Sequence, residues 1–261
     1  MSMASKPKIK TVRLSFIQDK IRQKNSGAED ENKDEDEDEE GNGDDEEFLQ
    51  TLPEVLQQRL FDHQRKGVSW LYQKFKDKSG GILGDDMGLG KTFQVTTLLT
   101  GLLCRKEIKR VLIICPVSVT QSWSRELRDH AKPYSKGLKV DILNSEMPKK
   151  TRERTLREIF MVNKPRVVIT TYTLFTNMVD HFSQNGKWDY CILDEGHTIK
   201  NPSTKMNKAC HDVEARHRLI LSGTPIQNNM MELHALISWI TKGKLLGSAA
   251  SFKFDYADPI M

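Results

Sequence analysis

Six short apolar runs rich in branched side chains alternate with helical patterns between Gly80 and Ser222. Several runs are apolar almost throughout, which is typical of strands covered on both faces. The alternation favours an α/β fold: a mostly parallel sheet with right-handed crossovers and helices on both faces. The predicted strands are 80–84, 110–115, 139–143, 166–170, 189–194 and 218–222. The predicted helices are 60–76, 91–104, 119–131, 149–162, 173–183, 203–212 and 230–240.

An acidic segment precedes this pattern. Residues 29–47 hold fourteen acidic residues in nineteen positions and no large apolar side chain. Such a segment cannot bury enough surface to offset the entropy of ordering, so it is predicted to be disordered. We therefore expect a disordered tail, first basic and then acidic, over 1–47. The folded region is expected over 48–261, with its core at 80–229 and a C-terminal segment at 230–261 that looks incomplete.

The folded region is basic. The whole chain carries a formal charge of +4, whereas residues 48–261 hold 32 basic and 21 acidic residues, a net +11. That surplus favours binding to a polyanion, with a merely soluble basic protein as the alternative. The acidic segment either masks this surface or is simply a solvated tail.

The cysteine spacing argues against a zinc-binding protein, and the hydropathy pattern argues against a membrane-spanning one. Cys104, Cys115, Cys191 and Cys210 show no CxxC pair and no spacing with histidine that suits zinc. No apolar run approaches the length of a membrane span, so no membrane partner is expected.

Residues 85–92 read DDMGLGKT, between a predicted strand and a predicted helix. Consecutive backbone N–H groups in such a loop point at phosphate oxygens, and the following helix adds its positive dipole end. Asp85 stands where the usual G-x-x-x-x-G-K-[ST] pattern has its first glycine. The chemistry assigns Lys91 to the β- and γ-phosphates of a nucleoside triphosphate and the Thr92 hydroxyl to Mg²⁺. The candidate nucleotide-binding residues of the loop are Asp85, Asp86, Met87, Gly88, Leu89, Gly90, Lys91 and Thr92.

A second acidic motif, DEGH at 194–197, ends an apolar run. Ligand sites in parallel sheets collect at the carboxyl ends of strands, so this motif and the loop are expected at one edge. Asp194 then becomes the carboxylate that holds Mg²⁺, and Glu195 the group that orients or deprotonates water. Lys91, Asp194 and Glu195 are the predicted catalytic residues.

Five motifs in order resemble one known family. They are DDMGLGKT, ICPVSVTQSW (114–123), ITTYTLF (169–175), ILDEGHTIKNPSTK (192–205) and LILSGTPIQNN (219–229), preceded by FDHQRKGVSWL (61–71). Together they resemble the Swi/Snf-type ATPases of helicase superfamily two, over residues of about 55–260. Within this family, the pairing of GILGDDMGLGKT with DEGHTIKNP and the closing KLLGSAASFKFDYADPI resemble one branch. It contains the Cockayne syndrome group B protein, the translocase PICH and plant chromatin-remodelling proteins. The resemblance implies that the fold is a RecA-like lobe.

The resemblance also implies roles for individual residues. Gln64 would read the adenine edge, with His63 beside it. Ser222, Gly223 and Thr224 match a motif that couples hydrolysis to movement, extended by Gln227 and Asn228. Gly196 replaces the commoner alanine of DEAH, which is expected to loosen the turn. The residues that match DNA-backbone segments are Ser118, Thr120, Trp123, Thr171 and Tyr172, although capping or packing is the alternative for each.

The resemblance implies that the partner is duplex DNA, contacted through its phosphates without sequence preference. It also implies that the protein is nuclear. Nucleosomes and other chromatin proteins are further candidate partners. Family members close two lobes around ATP, and the second lobe supplies arginines. No strand–helix array follows Asn229, so the second lobe is expected to be absent and hydrolysis by this chain weak. A catalytically silent DNA- or partner-binding module and an RNA helicase lobe are the alternative functions.

Overall fold

A single seven-stranded sheet forms the centre of the computed structural model, which describes residues 11–12, 43–184, 186–223 and 230–254. The strands are β1 (Thr11–Val12), β2 (Gly81–Leu83), β3 (Arg110–Cys115), β4 (Lys139–Leu143), β5 (Arg166–Thr171), β6 (Trp188–Asp194) and β7 (Ala215–Leu221). Their order across the sheet is β1-β2-β7-β6-β3-β5-β4. The edge strand β1 runs antiparallel, and the other six strands are parallel. The predicted α/β fold is confirmed.

Helices precede, connect and follow the six parallel strands. They are α1 (Gly43–Gln50), α2 (Glu54–Arg59), α3 (Asp62–Lys76), α4 (Lys91–Cys104), α5 (Thr120–His130), α6 (Lys149–Met161), α7 (Tyr172–Asn177), α8 (Val179–Ser183), α9 (Lys205–Asp212), α10 (Met230–Thr241) and α11 (Ala249–Phe252). Short 3₁₀ turns lie at Val117–Val119 and Gly196–Ile199.

Alternate residues of the parallel strands face two separate apolar cores. In β3, Val111 and Ile113 belong to a core shared with α1, α3, α4 and α5. Leu112 and Ile114 face the other core, which includes residues of α6 to α10. The sheet is therefore covered on both faces, which explains why its strands read as continuous apolar runs.

The strand register places the candidate motifs at one edge. Leu83 of β2 and Asp194 of β6 both lie opposite Leu221 of β7. On the other side of β6, Leu193 pairs with Ile114, one residue before the end of β3, and Cys115 pairs with Thr171. The segments that follow β2, β3, β5, β6 and β7 thus all emerge at the carboxyl edge of the sheet.

Most of the predicted elements lie within two residues of their predicted bounds, and two differ by more. The predicted helix 173–183 is two helices, α7 and α8, that meet at Met178, whose φ of −130° is not helical. Strand β7 begins at Ala215, three residues before the predicted start. The extension contains Arg216 and His217, whose polar side chains interrupt the apolar pattern. Arg216 is exposed and pairs with Asp189.

The prediction of a disordered tail through residue 47 is wrong for its last residues. Helix α1 begins at Gly43, so four acidic residues of the tail belong to a helix, and Thr11–Val12 forms the edge strand. Acidic residues in the first turn of α1 suit the positive end of the helix dipole. The rest of the tail lies outside the described residues. Within the described ranges, no helix is long and apolar enough to cross a membrane.

Phe48 anchors α1 to the folded region. Its ring is 0% exposed and stacks on Tyr72 with ring centroids 3.9 Å apart. A Cβ added to Gly101 would lie 2.5 Å from Phe48 Cζ, so α4 has a glycine where the ring packs. The ring therefore joins α1, α3 and α4.

We expect Phe48→Ala to lower the free energy of unfolding by about 3–5 kcal/mol, because the cavity lies inside a packed core. Urea unfolding of the variant and the wild-type chain measures this difference in the free energy of unfolding. Phe61→Ala is the matched control, since that ring is 69% exposed, and its cost is expected to be small. Equal stabilities of the two variants would mean that α1 is not part of the folded unit.

Candidate functional site

The DDMGLGKT loop joins β2 to α4 and folds around the Lys91 side chain. Lys91 is the first residue of α4, and its Nζ donates to the backbone carbonyls of Asp85 at 2.6 Å and Asp86 at 3.1 Å. Thr92 is the second residue of the helix. The first N–H groups of a helix have no partner within it, so the start of α4 presents backbone donors next to the Lys91 ammonium.

Gly90 allows the loop to approach Gln64. Gly90 has a φ of 76°, and a Cβ added there would lie 2.4 Å from Gln64 Nε2. The buried Gln64 amide accepts from the Phe61 N–H at 3.2 Å and donates to the Leu89 carbonyl at 3.2 Å. The side chain expected to read adenine thus also ties the start of α3 to the loop.

The Asp85 side chain connects the loop to α4. Its side chain is 2% exposed, and its Oδ2 accepts from Gln94 Nε2 at 3.0 Å. Its Oδ1 is buried and has no hydrogen-bond partner among the residues that the structure describes. The aspartate that departs from the usual loop pattern therefore points inward to α4 and positions the loop.

Asp194 ends β6 with both carboxylate oxygens hydrogen-bonded. Its Oδ2 accepts from Trp123 Nε1 at 2.7 Å, and its Oδ1 accepts from the Glu195 N–H at 3.0 Å. Burial raises the pKa of the Asp194 carboxyl, and the Glu195 carboxylate acts in the same direction. Those two hydrogen bonds and the positive charge of Lys91 act in the opposite direction. Lys91 and Asp194 are therefore electrostatic neighbours.

Glu195, His197 and Ser222 form a line of contacts beside Asp194. His197 Nδ1 lies 3.2 Å from Glu195 Oε2 and 3.4 Å from Ser222 Oγ. Glu195 has a φ of 52°, an unusual left-handed conformation for a residue with a side chain, and one typical of functional sites. The Ser222 N–H donates to the Leu83 carbonyl at 3.2 Å, which fixes the segment after β7 to the end of β2.

Gly223 and Gly196 are both close-packed. A Cβ added to Gly223 would lie 4.0 Å from Lys91 Nζ, so this segment reaches the Lys91 side of the site. Thr224, Gln227 and Asn228 lie outside the described residues. The expected loosening at Gly196 is not what the structure has: an added Cβ would lie 2.5 Å from Ile220 Cγ2, and the glycine lets the turn pack on β7.

The five residues predicted to contact DNA separate into three groups. Ser118 is exposed on the 3₁₀ turn after β3. Thr120 and Thr171 make local hydrogen bonds, to the Val117 carbonyl and from the Leu174 N–H respectively. Trp123 and Tyr172 are buried, and the Tyr172 hydroxyl donates to the Asp194 carbonyl at 2.9 Å. The prediction of DNA contact is wrong for the side chains of Trp123 and Tyr172, because both bond Asp194 instead.

Sequence reasoning missed exposed residues near the same edge. Gln121, Ser122 and Arg125 lie on the first turns of α5 and are exposed. Helical spacing gives the signal, since the buried Trp123 and Leu127 define the inner face and leave these residues outside. At the other end of the site, the 69%-exposed ring of Phe61 stacks on His63 with centroids 5.9 Å apart.

The donor set suits a hard cation. Asp194 offers a carboxylate and Thr92 a hydroxyl, the oxygen ligands that Mg²⁺ prefers. Each Asp194 oxygen accepts one hydrogen bond and keeps further acceptor capacity. These residues therefore fit the expected magnesium ion.

Comparisons with known proteins show the family to which this chain belongs. Residues 63–261 match the model of the SNF2-related domain. The chain is 41% identical over 210 residues to a DNA excision repair protein ERCC-6-like from Danio rerio, covering 78% of this chain and 14% of that protein. It is 39% identical over 229 residues to the protein CHROMATIN REMODELING 24 from Arabidopsis thaliana, covering 81% of this chain and 20% of that protein. These relatives match the predicted branch.

A solved structure shares the fold. The Sulfolobus solfataricus SWI2/SNF2 ATPase core in complex with dsDNA matches with a TM-score of 0.65 and 31% identity, covering 77% of this chain and 40% of that one. The predicted RecA-like lobe is thereby confirmed. This chain belongs to the SNF2-related domain family.

Proposed function

We propose that this chain is the ATP-binding lobe of a DNA-dependent ATPase that tracks duplex DNA and acts in chromatin remodelling or DNA repair. The observation that carries the proposal is the meeting of Lys91, Asp194 and Gly223 at the carboxyl edge of the sheet. A cation, a carboxylate and a helix start at one place suit a triphosphate and its metal.

Lys91 is the residue that recognises phosphate. When nucleotide binds, the Lys91 ammonium gives up its hydrogen bonds to the carbonyls of Asp85 and Asp86 and donates to the β- and γ-phosphate oxygens. N–H groups at the start of α4 donate to the same anion. Thr92 and Asp194 would hold magnesium, which neutralises phosphate charge when bound. Glu195 orients the attacking water and accepts its proton.

The adenine of the nucleotide binds at the start of α3. Gln64 keeps one N–H beyond the bond to Leu89, which is available for the adenine edge. The exposed Phe61 ring and His63 offer a stacking surface next to it.

Coupling to movement is supported by the contacts of His197. Because His197 touches both Glu195 and Ser222, a shift of the segment after β7 is transmitted to the water-orienting carboxylate. Thr224 is proposed to extend this segment.

Duplex DNA is proposed to lie across the first turns of α5. Ser118, Gln121, Ser122 and Arg125 offer hydroxyl, amide and guanidinium donors, which suit phosphate oxygens. Thr120 and Thr171 are proposed to shape this surface. Such contacts to phosphate do not depend on the DNA sequence. The names of the relatives support a nuclear protein that binds nucleosomes or other chromatin proteins.

The test is binding and hydrolysis of Mg-ATP by the purified chain, with duplex DNA, structured RNA or no nucleic acid. We expect ATP binding, low basal hydrolysis, and duplex affinity that falls steeply with salt and exceeds RNA affinity. Strong DNA-stimulated turnover that Lys91→Ala abolishes would refute the expected weakness of this chain. Duplex binding without nucleotide binding would favour the silent module, and preference for structured RNA would favour an RNA helicase lobe.

A further inference from the structure

Three tryptophans of this chain are fully buried, and their indole N–H groups have different acceptors. Trp188 Nε1 donates to the Phe182 carbonyl at 3.0 Å, and Trp239 Nε1 donates to the Cys210 carbonyl at 2.9 Å. Trp123 Nε1 instead donates to the Asp194 carboxylate, at 2.7 Å. The first two bonds end at backbone carbonyls outside the candidate site, whereas the third ends at Asp194, the proposed magnesium ligand.

The bond to Asp194 fixes the direction of the carboxylate. A hydrogen bond to an ionised oxygen is shorter and stronger than one between neutral groups. With the Glu195 N–H on Oδ1 and the indole on Oδ2, the carboxylate plane is held from both oxygens. Loss of the indole donor leaves one of the two restraints, and groups that orient a metal ligand typically affect metal affinity.

Trp123 also connects two surfaces of the lobe. It is the fourth residue of α5, and its ring fills the core between that helix and the sheet. The exposed residues of the same turn, Gln121 and Ser122, face away from it. Because the interior is close-packed, a displacement of the exposed face of this turn displaces the indole with it.

We propose that Trp123 is a positioning residue whose indole N–H holds the Asp194 carboxylate in its metal-binding direction and links it to nucleic acid bound on α5. The inference rests on the proposed function of the site. It assigns Trp123 a role in transmitting DNA binding to the metal site, through one hydrogen bond.

The first test compares Trp123→Phe with Trp239→Phe. Both replacements remove a buried indole and its hydrogen bond, so both are expected to lower the unfolding midpoint. Mn²⁺ affinity in the presence of ATP, measured by electron paramagnetic resonance, is expected to fall about tenfold in Trp123→Phe and to stay unchanged in Trp239→Phe. ATP affinity in EDTA is expected to stay unchanged in both.

Two results overturn the inference while leaving the proposed function intact. One is wild-type Mn²⁺ affinity in a folded Trp123→Phe variant, and the other is an equal loss in the two variants. Absence of Mn²⁺-dependent ATP binding in the wild-type chain would instead refute the proposed function itself.

The second test follows the indole directly. In chain labelled with ¹⁵N at tryptophan, the Trp123 indole resonance is identified by its loss in Trp123→Phe. Saturating duplex DNA is expected to shift this resonance and to leave those of Trp188 and Trp239 unchanged. If duplex binding measured by fluorescence anisotropy leaves the Trp123 resonance in place, the proposed link between DNA and Asp194 is refuted.

Discussion

ATP binding by Lys91→Ala is expected to be about 10- to 100-fold weaker than binding by the wild-type chain. Hydrogen bonds to charged groups contribute about 1.5–3 kcal/mol each, and a factor of ten in affinity corresponds to about 1.4 kcal/mol. Removal of the ammonium leaves the phosphates with the backbone donors of α4 and the proposed magnesium ion. Isothermal titration with Mg-ATP measures the change.

Two controls separate phosphate recognition from loss of structure. Lys150→Ala removes an exposed lysine of α6 and is expected to bind ATP normally. Because Lys91 also bonds two loop carbonyls, thermal unfolding without nucleotide shows whether the variant remains folded. A folded Lys91→Ala chain with wild-type ATP affinity would contradict the role of Lys91.

Glu195→Gln is expected to slow ATP hydrolysis by about 10²–10⁴-fold, the usual contribution of a general base. Glutamine has nearly the same shape, and it keeps an oxygen to face His197, but it cannot accept the proton of water. ATP affinity is therefore expected to change little. Single-turnover hydrolysis of labelled ATP at saturating chain concentration measures the rate even when turnover is low.

Glu153→Gln is the matched control for this change. Glu153 lies on α6 and pairs with Lys149 and His181, and neither partner belongs to the candidate site. Its replacement is expected to leave hydrolysis unchanged. Equal rates for Glu195→Gln and the wild-type chain would show that Glu195 does not activate water.

Much of the fold was predictable because its sheet is parallel and buried. A strand covered on both faces reads as an apolar run, so β3, with its five fully buried apolar residues, stands out in the sequence. The bounds of α4 match their prediction, since the loop before Lys91 fixes where the helix starts. The carboxyl-edge rule then placed Lys91 and Asp194 together without knowledge of contacts.

The contacts that the sequence could not predict depend on side-chain direction. Trp123 and Ser118 lie in one motif, yet one points into the core and the other to solvent. Their placement follows from the packing of α5 on the sheet, which motif spacing does not contain. Helix α1 escaped prediction for a related reason: its acidic composition suggested disorder, while Phe48 supplies the packing that orders it.

A crystal structure of this chain with magnesium and a non-hydrolysable ATP analogue decides whether Lys91, Asp194 and Glu195 serve one triphosphate. We expect Lys91 Nζ to leave the carbonyls of Asp85 and Asp86 for the phosphates, with the metal near Thr92 and Asp194. A triphosphate bound elsewhere, with Lys91 still on its own loop, would contradict the shared site.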